Sequence, residues 1–217
     1  MLALVKAAIK PFVPKPILSA GSTARSYGAV LNTPTFSGDG SIPEVVEPYV
    51  SSVRTFLSQR PPSDVVEIGC GDFAVASRLI DLARTYTACD VVPELIERNR
   101  RMFVRDNLTF RAIDAVTDPL PPGDLVIVRQ LFQHLRKDQI QAILRKFARY
   151  RTWIISQHVP SSSFVPNLDI LSGADRLSVG SGVVITQAPF WVRPRHSQVL
   201  SEVHVKGGVI RAQAYSF

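Results

Sequence analysis

The chain has 217 residues, enough for one α/β domain with a full core and too few for two ordinary ones. Apolar residues make up 46% and charged residues 20%, the balance of a soluble globular protein rather than a low-complexity one. The formal charge of +7 is a mild attraction to acidic partners. Arg98, Arg100, Arg101 and Arg105 fall at helical spacing, as a solvated face does. No aromatic interleaving of a single-strand binder accompanies them, so nucleic acid is unsupported.

The first element, Met1 to Ala20, is apolar with Lys6, Lys10 and Lys15, and Pro11, Pro14 and Pro16 interrupt it early. It lacks the length and the small-residue cleavage site of a signal peptide. No stretch approaches the roughly 18 uninterrupted apolar residues of a membrane span. A short helix over Leu2 to Ile9 would touch a membrane surface or a partner; a docked or frayed terminus is the plainer reading. Cys70 and Cys89 are the only cysteines, with neither zinc-type spacing nor a C-x-x-C pairing. Free thiols and a cytoplasmic location are the default expectation.

Residues 1–63 form an extension ahead of the main pattern. Within it, Val46, Tyr49, Val50, Val53, Phe56 and Leu57 predict a helix over Pro43 to Leu57, with Ser41 as its N-cap. The loop Ser37-Gly38-Asp39-Gly40-Ser41 before it is either a linker or a cover for a site.

From residue 64 to 217 the pattern alternates as a mostly parallel sheet demands. Strands are predicted at 64–68, 86–90, 108–113, 124–129 and 152–158, and helices at 73–84, 93–103 and 137–149. The strands are near-continuous apolar runs such as Leu125-Val126-Ile127-Val128, as expected when both faces are covered. Residues 160–197 are rich in Ser, Gly and Pro and show no clear helix. Two strand-like runs, Gln198 to Val205 and Val209 to Tyr215, meet around Gly207-Gly208 as a hairpin. The fold class is α/β, a Rossmann-like doubly wound sheet ending in an antiparallel hairpin.

The turn Glu67-Ile68-Gly69-Cys70-Gly71-Asp72 closes the first strand, and Asp90 ends the second. That is the skeleton of a nucleotide-binding βαβ unit, in which glycines make the turn and the later acid reaches ribose hydroxyls. A structural strand-to-helix turn has the same glycines. Glu67 separates the ligand classes. A pyrophosphate wants backbone N–H groups and the positive end of a helix, and nearby carboxylates repel it. Glu67 and Asp72 instead suit a nucleoside that carries positive charge and no phosphate, such as S-adenosylmethionine.

On these residues the chain resembles the class I S-adenosylmethionine-dependent methyltransferases over about 64–158, with the terminal hairpin in agreement. The family's acid-x-Gly-x-Gly motif is Glu67-Ile68-Gly69-Cys70-Gly71. The acid ending strand two is Asp90, and the acid after strand three is Asp114. The fourth region runs from Asp124 to Leu135 and ends in Gln133-His134-Leu135. A third glycine common in the family is Phe73 here. A looser likeness to small bacterial methyltransferases of uncharacterised specificity rests on the Ser37 to Ser41 loop, on Asn167 to Arg176, and on Pro189-Phe190.

The resemblance implies S-adenosylmethionine as cofactor. Ser37 belongs to the covering loop. Gly69, Cys70 and Gly71 allow close backbone approach, Cys70 by packing rather than chemistry. Glu67 faces the cationic end, Asp90 with Val91 takes the ribose, and Asp114 with Ala115 takes the adenine. Arg129 and Gln130 lie at the strand-four end, where open sheets bind ligands. In-line methyl transfer needs no protein nucleophile and no metal. His134 is the first candidate base, His158 the second; each is otherwise a packed histidine. Asp169 and Arg176 either grip a polar acceptor or form a buried salt bridge that orders the 160–197 loop. The expected reaction is O-methylation of a small-molecule or glycan acceptor. A nicotinamide-dependent oxidoreductase and a non-catalytic S-adenosylmethionine-binding protein are the alternatives. No Asp-Pro-Pro-Tyr loop follows strand four, which counts against base amines.

Overall fold

The computed structural model describes residues 39–217. Ser37, Gly38 and the segment Leu2 to Ile9 lie outside the described residues. The strands are β1 (Ser63–Ile68), β2 (Ala83–Asp90), β3 (Leu108–Ala112), β4 (Leu125–Arg129), β5 (Thr152–Val159), β6 (His196–Val205) and β7 (Gly208–Ser216). They form one sheet in the order β3-β2-β1-β4-β5-β7-β6. Strands β1 to β5 pair in parallel, while β7 runs antiparallel to both β5 and β6. The helices are α1 (Pro43–Ser58), α2 (Pro93–Met102) and α3 (Lys137–Phe147).

Side chains alternate across the sheet and bury on both faces. Val65, Ala88, Ile127 and Ile154 join one core with Val46, Val50 and Val53 of α1 and with Ile96 of α2. Val66, Val126, Val128 and Ile155 join the other with Ile140, Ile143 and Phe147 of α3. Each fully buried aliphatic side chain stabilises the fold by about 1.5–3 kcal/mol. The helix α1 therefore shares the sheet's core. It begins at Ile42 and Pro43 with no side-chain cap, because Ser41 sits in a preceding 3-10 turn, Asp39–Ser41. Pro43 at the first helical position supplies the entry instead.

The helix expected at 73–84 does not form. Phe73 takes a left-handed backbone, φ 62°, at its first residue, and two short 3-10 turns follow, Ala76–Arg78 and Ile80–Leu82. What forces this is the ring of Phe73, 1% exposed. It stands edge-on to Tyr86, Phe103 and Phe110, with centroids 5.7, 5.2 and 4.8 Å away. Burial of the aromatic ring outweighs the roughly 1–2 kcal/mol cost of a left-handed non-glycine residue. Ala76, Leu79 and Ile80 still reach the core, which gives the segment its helix-like apolar periodicity without a helix. Chain between β5 and β6 is largely irregular, with one 3-10 turn at Arg176–Val179. The hairpin β6-β7 turns through Lys206 and Gly207. A Cβ on Gly208 would strike the Val159 carbonyl and the His158 ring, which keeps that position bare.

Candidate functional site

The sheet order reverses between β1 and β4, and their C-terminal ends open into a cavity of about 360 Å³. The glycine turn forms its floor. Gly69 and Gly71 have φ of 75° and 56°, so the chain doubles back with no side chain between backbone and ligand. The N–H groups of Gly69 and Cys70 both donate to Cys89 O, at 2.8 and 3.0 Å. Gly71 N–H donates to Asp90 Oδ2 at 3.0 Å, and Val92 N–H donates to Asp90 Oδ1 at 3.1 Å. Asp90 thus braces the turn while lining the cavity. Burial pushes its carboxyl up, against the lowering effect of those backbone donors. From the other side, Asn99 Nδ2 donates to Gly71 O at 2.7 Å.

Glu67 also lines the cavity and is only 4% exposed. Burial pushes its carboxyl up to about 7, opposed by the Tyr86 hydroxyl, which donates to Oε2 at 3.1 Å, and by the charge of Arg129. Its hydrogen-bond partner is neutral, so a ligand cation would be the stabilising counter-charge. Burial, then the Asp90 and Glu67 charges, hold the Cys70 thiol well above its usual range. The thiol is buried in the turn beside the cavity.

Asp114 makes a side-chain turn: its Oδ1 accepts from Val116 N–H at 2.8 Å, and Asp118 Oδ2 accepts from its own N–H at 2.9 Å. Lys146 of α3 locks this loop, donating to the carbonyls of Ala115, Val116 and Asp118 at 3.0, 2.8 and 2.7 Å. Asp114 and Ala115 line the cavity wall beside Val91.

At the end of β4, Arg129 donates through Nη2 to Gly40 O, and its guanidinium lies 5.4 Å from the Tyr49 ring centroid. Gln130 has φ 52°, and its amide packs directly against Gly40, so a side chain there would have to displace it. Gly40 and Ser41 line the cavity, so the described part of the upstream loop sits over it. His134 ends a 3-10 turn, Phe132–His134, and also faces the cavity. Its Nδ1 lies 3.3 Å from Ala174 O and its Nε2 lies 3.2 Å from Gln133 Nε2.

Three expected site residues lie away from the cavity wall. His158 is buried, its ring against Gly208 at the base of the hairpin. Asp169 accepts from the backbone N–H of Lys137 and of Ile170. Arg176 is 0% exposed and donates to the carbonyls of Leu168, Phe132 and Leu135. Neither a grip on the acceptor nor a salt bridge between the two describes them. Arg176 ties the irregular segment to the His134 turn through carbonyls, and four hydrogen bonds occupy its donors in the interior. Asn99, Lys146, Gln133 and Tyr86 were not anticipated. Asn99 carried a signal, since it falls three residues after Ile96 and four after Leu95 on the buried stripe of α2. Among the described residues, no group of three or more His, Cys, Asp or Glu is arranged to hold a metal ion, and no helix is long and apolar enough to cross a membrane.

Residues 65–151 match the family model described as a methyltransferase domain. A comparison with curated proteins finds no match. Among solved structures the chain is similar to the N-methyltransferase NodS from Bradyrhizobium japonicum WM9, in complex with S-adenosyl-L-homocysteine. Identity is 15% and the TM-score 0.64, covering 89% of this chain and 97% of that one. It is also similar to an S-adenosylmethionine-dependent methyltransferase of Leishmania major, at 15% identity and TM-score 0.63, over 91% and 78% of the two chains. The magnesium protoporphyrin IX methyltransferase of Synechocystis PCC 6803, with bound S-adenosylmethionine, gives 14% identity and TM-score 0.52, over 80% and 81%. At such identities the likeness speaks for the fold. Family model, fold and glycine turn agree: residues 65–151 match a methyltransferase domain, and the sheet has the fold of the class I methyltransferases. That takes the place of the nicotinamide alternative.

Proposed function

We propose that this methyltransferase acts on an oxygen of a small polar or sugar-like acceptor, with His134 receiving the acceptor's proton. When bound, S-adenosylmethionine supplies a methyl group on a sulfonium, already a good leaving group. The chain's own residues must then orient, exclude water and move one proton. Glu67 sets a negative charge against the donor's cationic end, Asp90 and Val91 take its ribose, and Asp114 and Ala115 take its adenine. Arg129 and Gln130 hold Gly40 and Ser41 of the upstream loop over the bound donor. Alignment in such a site can contribute about 7–11 kcal/mol in favourable intramolecular cases.

The observation that carries the oxygen reading is the His134 ring at the cavity wall, its Nδ1 directed at a backbone carbonyl. An imidazole anchored that way presents Nε2 as the basic atom, an effect typically worth about 10²–10⁴-fold. A second reading is an amine acceptor. It is favoured because both ring nitrogens of His134 already have partners, and a neutral amine needs no base. The N-methyltransferase NodS shares the fold.

A screen of S-adenosylhomocysteine release over glycans, small phenols and primary amines separates the two. Turnover on a hydroxyl that falls about 10²–10⁴-fold in His134→Ala, with donor affinity within a few-fold, supports the oxygen reading. Turnover confined to amines and indifferent to His134→Ala overturns it.

A further inference from the structure

Gln133 stands beside His134 in the chain and is only 4% exposed. Its Oε1 accepts the backbone N–H of His158 at 2.6 Å. An amide whose oxygen is held by an N–H must turn its NH₂ the other way, and an NH₂ group can only donate. The atom it meets is His134 Nε2, at 3.2 Å. That nitrogen is therefore an acceptor, and the ring proton belongs on Nδ1. An independent contact agrees, because Nδ1 lies 3.3 Å from Ala174 O, which can only accept. An obligate donor on one side and an obligate acceptor on the other select the same tautomer.

The Ala174 carbonyl is itself held in place. Gly173 N–H donates to His134 O at 3.1 Å, and the Arg176 guanidinium binds the carbonyls of Phe132 and Leu135 on either side of Gln133 and His134. The strand end of β5 supplies the first link through His158 N–H, and the irregular segment supplies the last.

We propose that Gln133 is a positioning residue for methyl transfer: it selects the Nδ1–H form of His134 and keeps the Nε2 lone pair at the cavity until an acceptor hydroxyl displaces its amide. This rests on His134 as the base. In the step itself the hydroxyl proton passes to Nε2, the oxygen's electron pair forms the new O–CH₃ bond, and the electrons of the broken C–S bond stay on sulfur. The ring ends as an imidazolium with protons on both nitrogens.

Imidazole nitrogen NMR on protein labelled with ¹⁵N-histidine, at a pH where the ring is neutral, tests this without any acceptor. Wild-type protein should show His134 with a protonated Nδ1 and a bare Nε2. Gln133→Glu keeps one oxygen for the His158 N–H and turns a second toward Nε2, so the proton should move to Nε2. An Nε2–H ring in the wild type overturns the proposal with no variant needed, and so does an unchanged tautomer in a folded Gln133→Glu protein. The base reading is tested separately by turnover of His134→Ala. Normal turnover there removes the base, whereas a wrong tautomer removes only the role of Gln133.

Discussion

Tyr86 donates its hydroxyl to Glu67 Oε2 at 3.1 Å, in a place where both side chains are closed off from water. The pair sits where the first glycine turn begins, and it sets the charge that a ligand meets on entering.

The Glu67 carboxyl lies at about 7 in the fold against an ordinary value of 4.5. Its folded value is raised, so the stability it contributes is fully present below about 4.5 and is lost as pH rises through 7. Glu67→Gln should therefore flatten the stability–pH curve between those values relative to wild type, as read by urea denaturation at successive pH. A cationic donor favours the ionised form, so below pH 7 donor binding should release a proton. Calorimetry in buffers of different ionisation enthalpy measures that release, and an identical heat in all buffers would sink the assignment of Glu67 to the cationic end.

Phe73 joins a strained backbone to a buried ring, and the two are separable by mutation. Phe73→Ala should cost about 3–5 kcal/mol of stability. Phe73→Gly removes the same ring but relieves the left-handed backbone, so it should be the more stable of the two by about 1–2 kcal/mol. Chemical denaturation of both variants gives the order; alanine above glycine contradicts the account of why the expected helix is missing.

Lys146 holds three carbonyls of the loop beside Asp114. Lys146→Met should raise the donor KM about tenfold while kcat at saturating donor changes little, because the loop is loosened far from the reacting atoms. Equal losses in kcat and kcat/KM would place Lys146 in the chemistry instead.

Much of this site is written in short-range patterns. Strand ends are marked by where apolar runs stop, so Glu67, Asp90, Asp114 and Arg129 could be placed around one cavity before any packing was known. What sequence reading lacks is the bracing between distant segments. Asn99 on Gly71, Gln133 on His158 and Arg176 on Leu135 join residues 28, 25 and 41 apart in the chain. Nothing local encodes those contacts. Arg176 shows the failure most plainly: an arginine in a polar loop suggests a substrate grip, yet backbone carbonyls from two segments enclose it completely. His158 ends a strand as catalytic residues often do, but β7 pairs alongside and the hairpin covers its ring.

The central claim is that the cavity between β1 and β4 binds S-adenosylmethionine through its acid-lined glycine turn. Titration calorimetry with S-adenosylhomocysteine, S-adenosylmethionine and NAD tests it most directly. Both adenosyl ligands should bind with micromolar affinity and NAD should show no heat. Asp90→Ala should weaken both about tenfold or more, through lost hydrogen bonds to a charged acceptor of about 1.5–3 kcal/mol each. Binding of NAD with no response to either adenosyl ligand would contradict the account.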